Sequence, residues 1–443
     1  MPKRTKMNRR KFVASTSALL AATQFPSLQA QEITAKADQL AVNGGERAVK
    51  TPISKLTRWG QEEAKQLASI ISQDSLFYWK GPQTTLLTKR FQEHYPFKHV
   101  MPCSSGTAAL HIAVAAAGIK PGDEIITAPI TDMGTVIGAI FQQAVPVFAD
   151  LEPNTYNLDP ADVERRITPK TKAIIAVHLA GNPCRLNELK TICTRHKLIL
   201  IEDCAQAWGA KYRGQPIGTI GDIACFSLQQ SKHITTGDGG IVATNNDKFG
   251  PLLQLFGDKG FDRVNPKAPT EFFGTNYRMS ELQAAFGAAQ MLRVEGIAET
   301  RSKLGQLLTS EIADIRGITS PEVSQKDRCT FWLYMLRVTP ENLKCDRAEF
   351  VKALQAEGVA CSAGYISELI HEKPIFQKHS FFNGSWPVKE AGLTNMDYTK
   401  IKCPEASQML TTFVRIQLHE GMNESYIREV ATAIRKVARH FAG

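Results

Sequence analysis

Six short apolar runs recur between residues 124 and 244, and each is continuous rather than alternating. They are 124–128, 145–150, 173–178, 198–203, 223–227 and 240–244. A strand with one wet face alternates apolar and polar residues. A strand buried on both faces does not, so these runs predict central strands covered on both sides. Helix-period stretches such as 186–196 lie between the earlier runs. Strands that alternate with helices build a mostly parallel sheet with helices on both faces. The pattern changes after Asn276. Residues 280 to about 299 read as one long helix, 330–338 as an alternating strand, and 347–357 and 424–441 as helices. The expected organisation is a large α/β domain over residues 32–295, with an amino-terminal arm, and a smaller α+β domain over 296–443.

The net charge of +10 invites a nucleic-acid reading, but its placement argues against one. Six positive residues, Lys3, Arg4, Lys6, Arg9, Arg10 and Lys11, precede any acid, and without residues 1–31 the balance falls to +4. No basic stripe interleaved with aromatics is present, so no nucleic-acid partner is expected. Arg9-Arg10 followed by the apolar run Val13–Leu20 and the small residue Ala30 has the layout of a twin-arginine secretory signal over residues 1–31. The run falls short of the ~20 residues that span a bilayer, so no membrane segment is expected in the mature chain. The expected location is the periplasm, reached in the folded state, or the cytoplasm if the segment is only a basic tail. Nine cysteines, none in a CxxC pair, read as buried free thiols formed under reducing conditions, and no metal site is expected.

Lys232 stands in Ser231-Lys232-His233-Ile234-Thr235-Thr236-Gly237-Asp238-Gly239-Gly240. Alone, such a lysine is a solvated charge. Three upstream features give it another reading. Asp203 closes an expected strand, at the carboxyl end where ligands of parallel sheets bind. A carboxylate there pairs with the pyridine nitrogen of pyridoxal phosphate, or else caps a following helix. Ser105-Gly106-Thr107 opens an expected helix, where free N–H groups and hydroxyls meet an anion, or where a plain cap sits. Ser227, five residues before Lys232, offers another hydroxyl. The glycines after Lys232 suit either a turn beside a cofactor or an ordinary loop. A helix start, a strand-ending Asp, a Ser five residues before a Lys and a glycine turn, in that order, make the linear layout of a fold-type I pyridoxal phosphate enzyme.

The strings SSGTAALHIAV from Ser104, PGDEIITAP from Pro121, IEDCAQAWGA from Ile201, the run Gly221–Gly240 and GTNYRMSELQAA from Gly274 resemble the DegT/DnrJ/EryC1/StrS sugar aminotransferases, over roughly residues 40–440. The resemblance implies an aminotransferase using pyridoxal 5'-phosphate, with glutamate or glutamine as donor and a keto sugar or cyclitol ketone as acceptor. Lys232 would form the Schiff base and shuttle the proton. Asp203 would pair with the pyridine nitrogen, Gln206 would lie near the phenolic oxygen, and Gly106, Thr107 and Ser227, with Ser105, would hold the phosphate. Asn276 would reach the phosphate of a neighbouring subunit, implying a homodimer with shared sites. Related dehydratases carry His at the lysine position. Asp132 departs from the family, since an aromatic that stacks on the cofactor usually stands there. Met133 and His178 are the candidates to cover the ring face or meet substrate. The departure keeps open another pyridoxal phosphate reaction, such as dehydration or racemisation, and a non-catalytic binding role.

Overall fold

The computed structural model describes residues 39–53 and 55–442, so the expected signal segment lies outside the described residues. The six predicted strands are all present, as β2 (Glu124–Thr127), β3 (Val145–Phe148), β4 (Thr171–Val177), β5 (Ile199–Asp203), β6 (Ile223–Ser227) and β7 (Gly240–Thr244). Each is buried along almost its whole length, as continuous apolar runs require. A seventh strand, β1 (His99–Cys103), was not legible: Pro102 within it removes a ladder donor. That is tolerated because β1 is an edge strand, whose one neighbour in the sheet among the described residues is β7.

The sheet order is β1-β7-β6-β5-β4-β2-β3. Strands β3, β2, β4, β5 and β6 pair in parallel, and β7 runs against both its neighbours. Ile125, Ile126, Ile174, Ile175, Leu200 and Ile201 form the middle of the main core. The covering helices include α1 (Pro82–His94), α2 (Gly106–Ala116), α3 (Gly134–Phe141) and α4 (Leu186–His196).

The long helix expected from residue 280 is two helices, α5 (Glu281–Met291) and α6 (Val294–Ile312). Ser280 caps the first, accepting from Gln283 N. The break at Leu292 and Arg293 coincides with an ion pair from Arg293 to the buried Glu63, at 2.8 Å. That partner is 230 residues distant, beyond what local periodicity registers. The smaller sheet, in the order β8 (Ile318–Thr319), β9 (Tyr334–Val338), β11 (Phe413–Ile416) and β10 (Cys361–Ser362), is antiparallel throughout. Helices α6, α7 (Arg347–Ala356) and α8 (Glu424–Ala442) contribute to its core through Leu304, Leu308, Phe350, Leu354, Val430 and Ile434. The expected boundary at residue 296 therefore falls inside α6, whose Val294 belongs to the large core. The stretch 369–409 also departs from the expected partition. Ile370, Phe376, Trp386, Tyr398 and Met409 pack into the large core, not the small one. Tyr398 donates to Pro146 O on β3 at 3.0 Å.

Candidate active site

The carboxyl ends of β5 and β6 open onto a cavity of about 400 Å³. Ser105, Gly106, Thr107, Asp132, Asp203, Ser227 and Lys232 line it, together with Gly134, Thr135, Ala205, Gln229, Asp238, Trp332 and Tyr365. Seven residues singled out from sequence, scattered over more than a hundred positions, thus converge on one space.

One wall is the start of α2. Ser105 caps it, its hydroxyl accepting from Ala108 N at 3.0 Å, so capping is real here. The Gly106 position shows that more than a cap is built. A Cβ there would stand 2.6 Å from Ser227 Cβ, and one on Gly240 would stand 2.3 Å from Ser105 O. Any side chain at either position would push the helix start off the sheet edge. Glycine lets the first turn of α2 lie directly against β6 and β7, with the Thr107 and Ser227 side chains facing one cavity. This is the cradle an anionic group needs at a helix amino terminus.

The floor is Asp203, 3% exposed. No helix follows it; the next element is a short hairpin at Lys211–Tyr212, so the helix-cap alternative does not hold. Its Oδ1 accepts from Ala205 N at 3.1 Å and its Oδ2 from the Thr135 hydroxyl at 2.9 Å. Burial pushes the carboxyl up from its ordinary range, and the Ala205 N–H, the Thr135 hydroxyl and the Lys232 charge act against that. A buried carboxylate with room for one more partner fits a cationic ring N–H. With the Gly106 cradle opposite, the residues fit pyridoxal phosphate.

Lys232 is 8% exposed. Burial lowers its ammonium pKa, while Asp203 and Asp132 oppose the shift. Its Nζ stands 4.3 Å from the centroid of the Trp332 ring, a cation–π distance. The loop is fixed from several directions. Lys232 N donates to Gln229 O at 2.9 Å, and Trp332 Nε1 donates to Ser231 O at 2.7 Å. Arg58, from the amino-terminal arm, donates to the carbonyls of Gln230 and Lys232. His233 is turned away, its Nε2 against Thr330 O at 3.2 Å, and burial drives it to the neutral form.

Gln206 lies behind the cavity. It accepts from Ala180 N at 2.8 Å and donates to Tyr365 OH at 3.2 Å. Three further candidates do not line the cavity either. His178 is fully buried beneath the floor; its Nε2 donates to Glu202 Oε2 at 3.0 Å and its Nδ1 accepts from Cys184 N at 3.1 Å. Both ring nitrogens are taken, so it supports β5 and does not face a ring. Met133 packs against the main core. Asn276 is exposed, its Oδ1 accepting from Arg278 Nε at 2.7 Å. Thr135, Trp332, Tyr365 and Arg58 were not found from sequence. Thr135 had a signal, a hydroxyl four residues after Thr131 at a helix start. The others depend on contacts across the fold.

The chain belongs to the DegT/DnrJ/EryC1/StrS aminotransferase family, whose model matches residues 58–435. It is 39% identical to a GDP-perosamine synthase of Caulobacter vibrioides over 272 residues, covering 61% of this chain and 73% of that one. It is 31% identical to an L-glutamine:2-deoxy-scyllo-inosose aminotransferase of Streptomyces kanamyceticus, covering 80% of this chain and 85% of that one. Among solved structures, an aminotransferase from Psychrobacter cryohalolentis superposes with a TM-score of 0.78 at 29% identity, over 88% of this chain and 100% of that one.

Proposed function

We propose that this protein is a pyridoxal-phosphate-dependent aminotransferase that moves an amino group from glutamate or glutamine to a keto sugar or cyclitol ketone. One observation carries the reading. Buried Lys232 and buried Asp203 line a single cavity, with the glycine-permitted α2 start and Ser227 on its wall. The family membership and the named activities of the relatives support the same class.

The cofactor, when bound, supplies an electron sink that stabilises negative charge on the carbon bearing the amino group. The rest falls to the chain. Ser105, Gly106, Thr107 and Ser227 would hold the phosphate, and Asp203 would pair with the ring nitrogen. Gln206 would act near the phenolic oxygen, together with Tyr365. Lys232 Nζ takes the proton from the donor Cα in the first half of the reaction. In the second half it returns one to the former carbonyl carbon of the acceptor. That task needs an amine that is neutral part of the time, and burial moves Lys232 in that direction.

We further propose a homodimer in which Asn276 reaches the neighbour's phosphate. Phe273, three residues before Asn276, is 93% exposed and offers an apolar side chain for a partner to cover. For location we propose export in the folded state through the segment 1–31. None of the nine cysteines is paired, which suits a chain that folds before crossing. Among the described residues no helix is long and apolar enough to cross a membrane.

The test is a visible spectrum of the purified protein after reconstitution. We expect a visible band that bleaches when glutamate or glutamine is added and returns with a ketone acceptor. Lys232→Ala is expected to remove turnover, at least ~10⁴-fold, since it deletes the only proposed proton carrier. A protein that takes up no cofactor, or a variant that still turns over, defeats the reading.

A further inference from the structure

The charged side chains lining the cavity are Asp132, Asp203, Asp238 and Lys232. Asp203 and Lys232 have roles in the proposed reaction. Asp132 has none, and it stands where the resemblance implies an aromatic. Its placement is specific. Its Oδ1 accepts from Gly134 N at 2.8 Å, in the first turn of α3, where the helix dipole favours a negative charge. A Cβ built on Gly134 would lie 2.7 Å from Thr107 Oγ1 and 3.0 Å from Asp132 Oδ1, so the carboxylate stands beside the wall that holds Thr107. Its Oδ2 meets no protein donor among the described residues, and Asp132 is exposed to the cavity. Its charge is felt by Lys232 and by Tyr365, both on the same cavity.

An aromatic ring at this position would be large and uncharged. A carboxylate is smaller, negative, and accepts hydrogen bonds. The exchange therefore trades apolar cover for a charge-sensitive wall. A ligand ammonium or hydroxyl has a free oxygen to meet there, and a ligand phosphate meets repulsion.

We propose that Asp132 is a specificity-determining residue that sorts acceptors by charge, favouring ketones whose other substituents are ammonium or hydroxyl groups over ketones that carry phosphate. This rests on the aminotransferase reading above and names the acceptor class. Asp238, the other unassigned carboxylate, sits exposed in the glycine turn after Lys232. It also lines the cavity.

The test is equilibrium binding to the reconstituted protein of probes that lack a primary amine and a carbonyl, and so cannot react with the cofactor. These are myo-inositol, inositol monophosphate and a trimethylammonium-bearing cyclitol, measured by calorimetry at fixed pH and ionic strength. The wild type should prefer cation over neutral over phosphate, each step about tenfold, the scale of one charge at 6–8 Å after solvent screening. Asp132→Asn should compress the series to about twofold per step while Asp132→Glu keeps the order. A wild type that binds the phosphate at least as well as inositol, or a series unchanged in Asp132→Asn, overturns the assignment. The visible band separates the two failures: an intact band with a flat series defeats Asp132 alone, whereas no band defeats the aminotransferase reading.

Discussion

The floor of the cavity and its rim are built on opposite principles. On the floor each carboxylate oxygen already has a protein partner. Asp203 accepts two hydrogen bonds, and Glu202 behind it accepts from His178 Nε2 and from the backbone N–H groups of Gly218, Ile220 and Gly221. Both carboxylates are nearly or wholly buried. At the rim, Asp132 is exposed with one oxygen free, and Trp332 meets Lys232 only through its ring face. Buried polar groups left unpaired cost about 1–3 kcal/mol each, so a floor has to be closed if it is to be rigid. A rim that meets a ligand must leave groups open. The difference assigns chemistry to the floor and selection to the rim.

Glu202→Ala is the harshest test of the floor. It strands three backbone donors and the His178 ring beneath the sheet. We expect a loss of roughly 3–5 kcal/mol, the scale for breaking a buried charged network, read as a lower denaturant midpoint. A variant of wild-type stability would mean the floor is less closed than its contacts indicate. Asp203→Asn comes next and is directed at chemistry. It keeps the shape and removes the charge that a ring N–H needs. Turnover should fall roughly 10²–10³-fold, the scale of one preorganised electrostatic contact, with folding intact by circular dichroism. An activity within a fewfold of wild type would remove Asp203 from the proposed role.

The same contrast explains what was legible in the sequence. Asp203, Ser227 and Lys232 could be found because each sits at a strand end or in the loop that follows, where position in the chain fixes position in the fold. Gly106 could be found because close approach leaves a glycine behind. Glu202 adjoins Asp203 in the chain but points the other way, as alternate residues of a strand must, and it escaped notice for that reason. His178, named as a candidate to cover the ring face, follows β4 and turns its side chain to Glu202 instead. Trp332 and Tyr365 come from the region beyond residue 296 and meet the cavity only through tertiary packing. No local period carries that information. The break between α5 and α6 was missed for the same reason, since its ion-pair partner lies in the amino-terminal arm.

Thr135 is the hinge between floor and rim, and the smallest predicted effect concerns it. It sits in the first turn of α3, beside Asp132, and its hydroxyl donates to Asp203 Oδ2 while the Thr131 hydroxyl lies 2.7 Å away. That donated bond is one of the forces holding the buried Asp203 carboxyl down against desolvation. Thr135→Val keeps the shape and removes the donor, so the Asp203 carboxyl should rise further. Its function needs the ionised form. A raised pKa therefore costs activity on the acid side and spares the neutral side. In the kcat/KM profile the acid limb should move to higher pH, and activity at the foot of that limb should drop about tenfold, the scale of one charge-assisted hydrogen bond. Thr135→Ser restores the hydroxyl and should restore the limb. A limb that stays in place in Thr135→Val would show that Asp203 does not control it. A uniform loss at every pH, unrelieved by serine, would mark Thr135 as packing alone, and would detach the floor from the helix that carries Asp132.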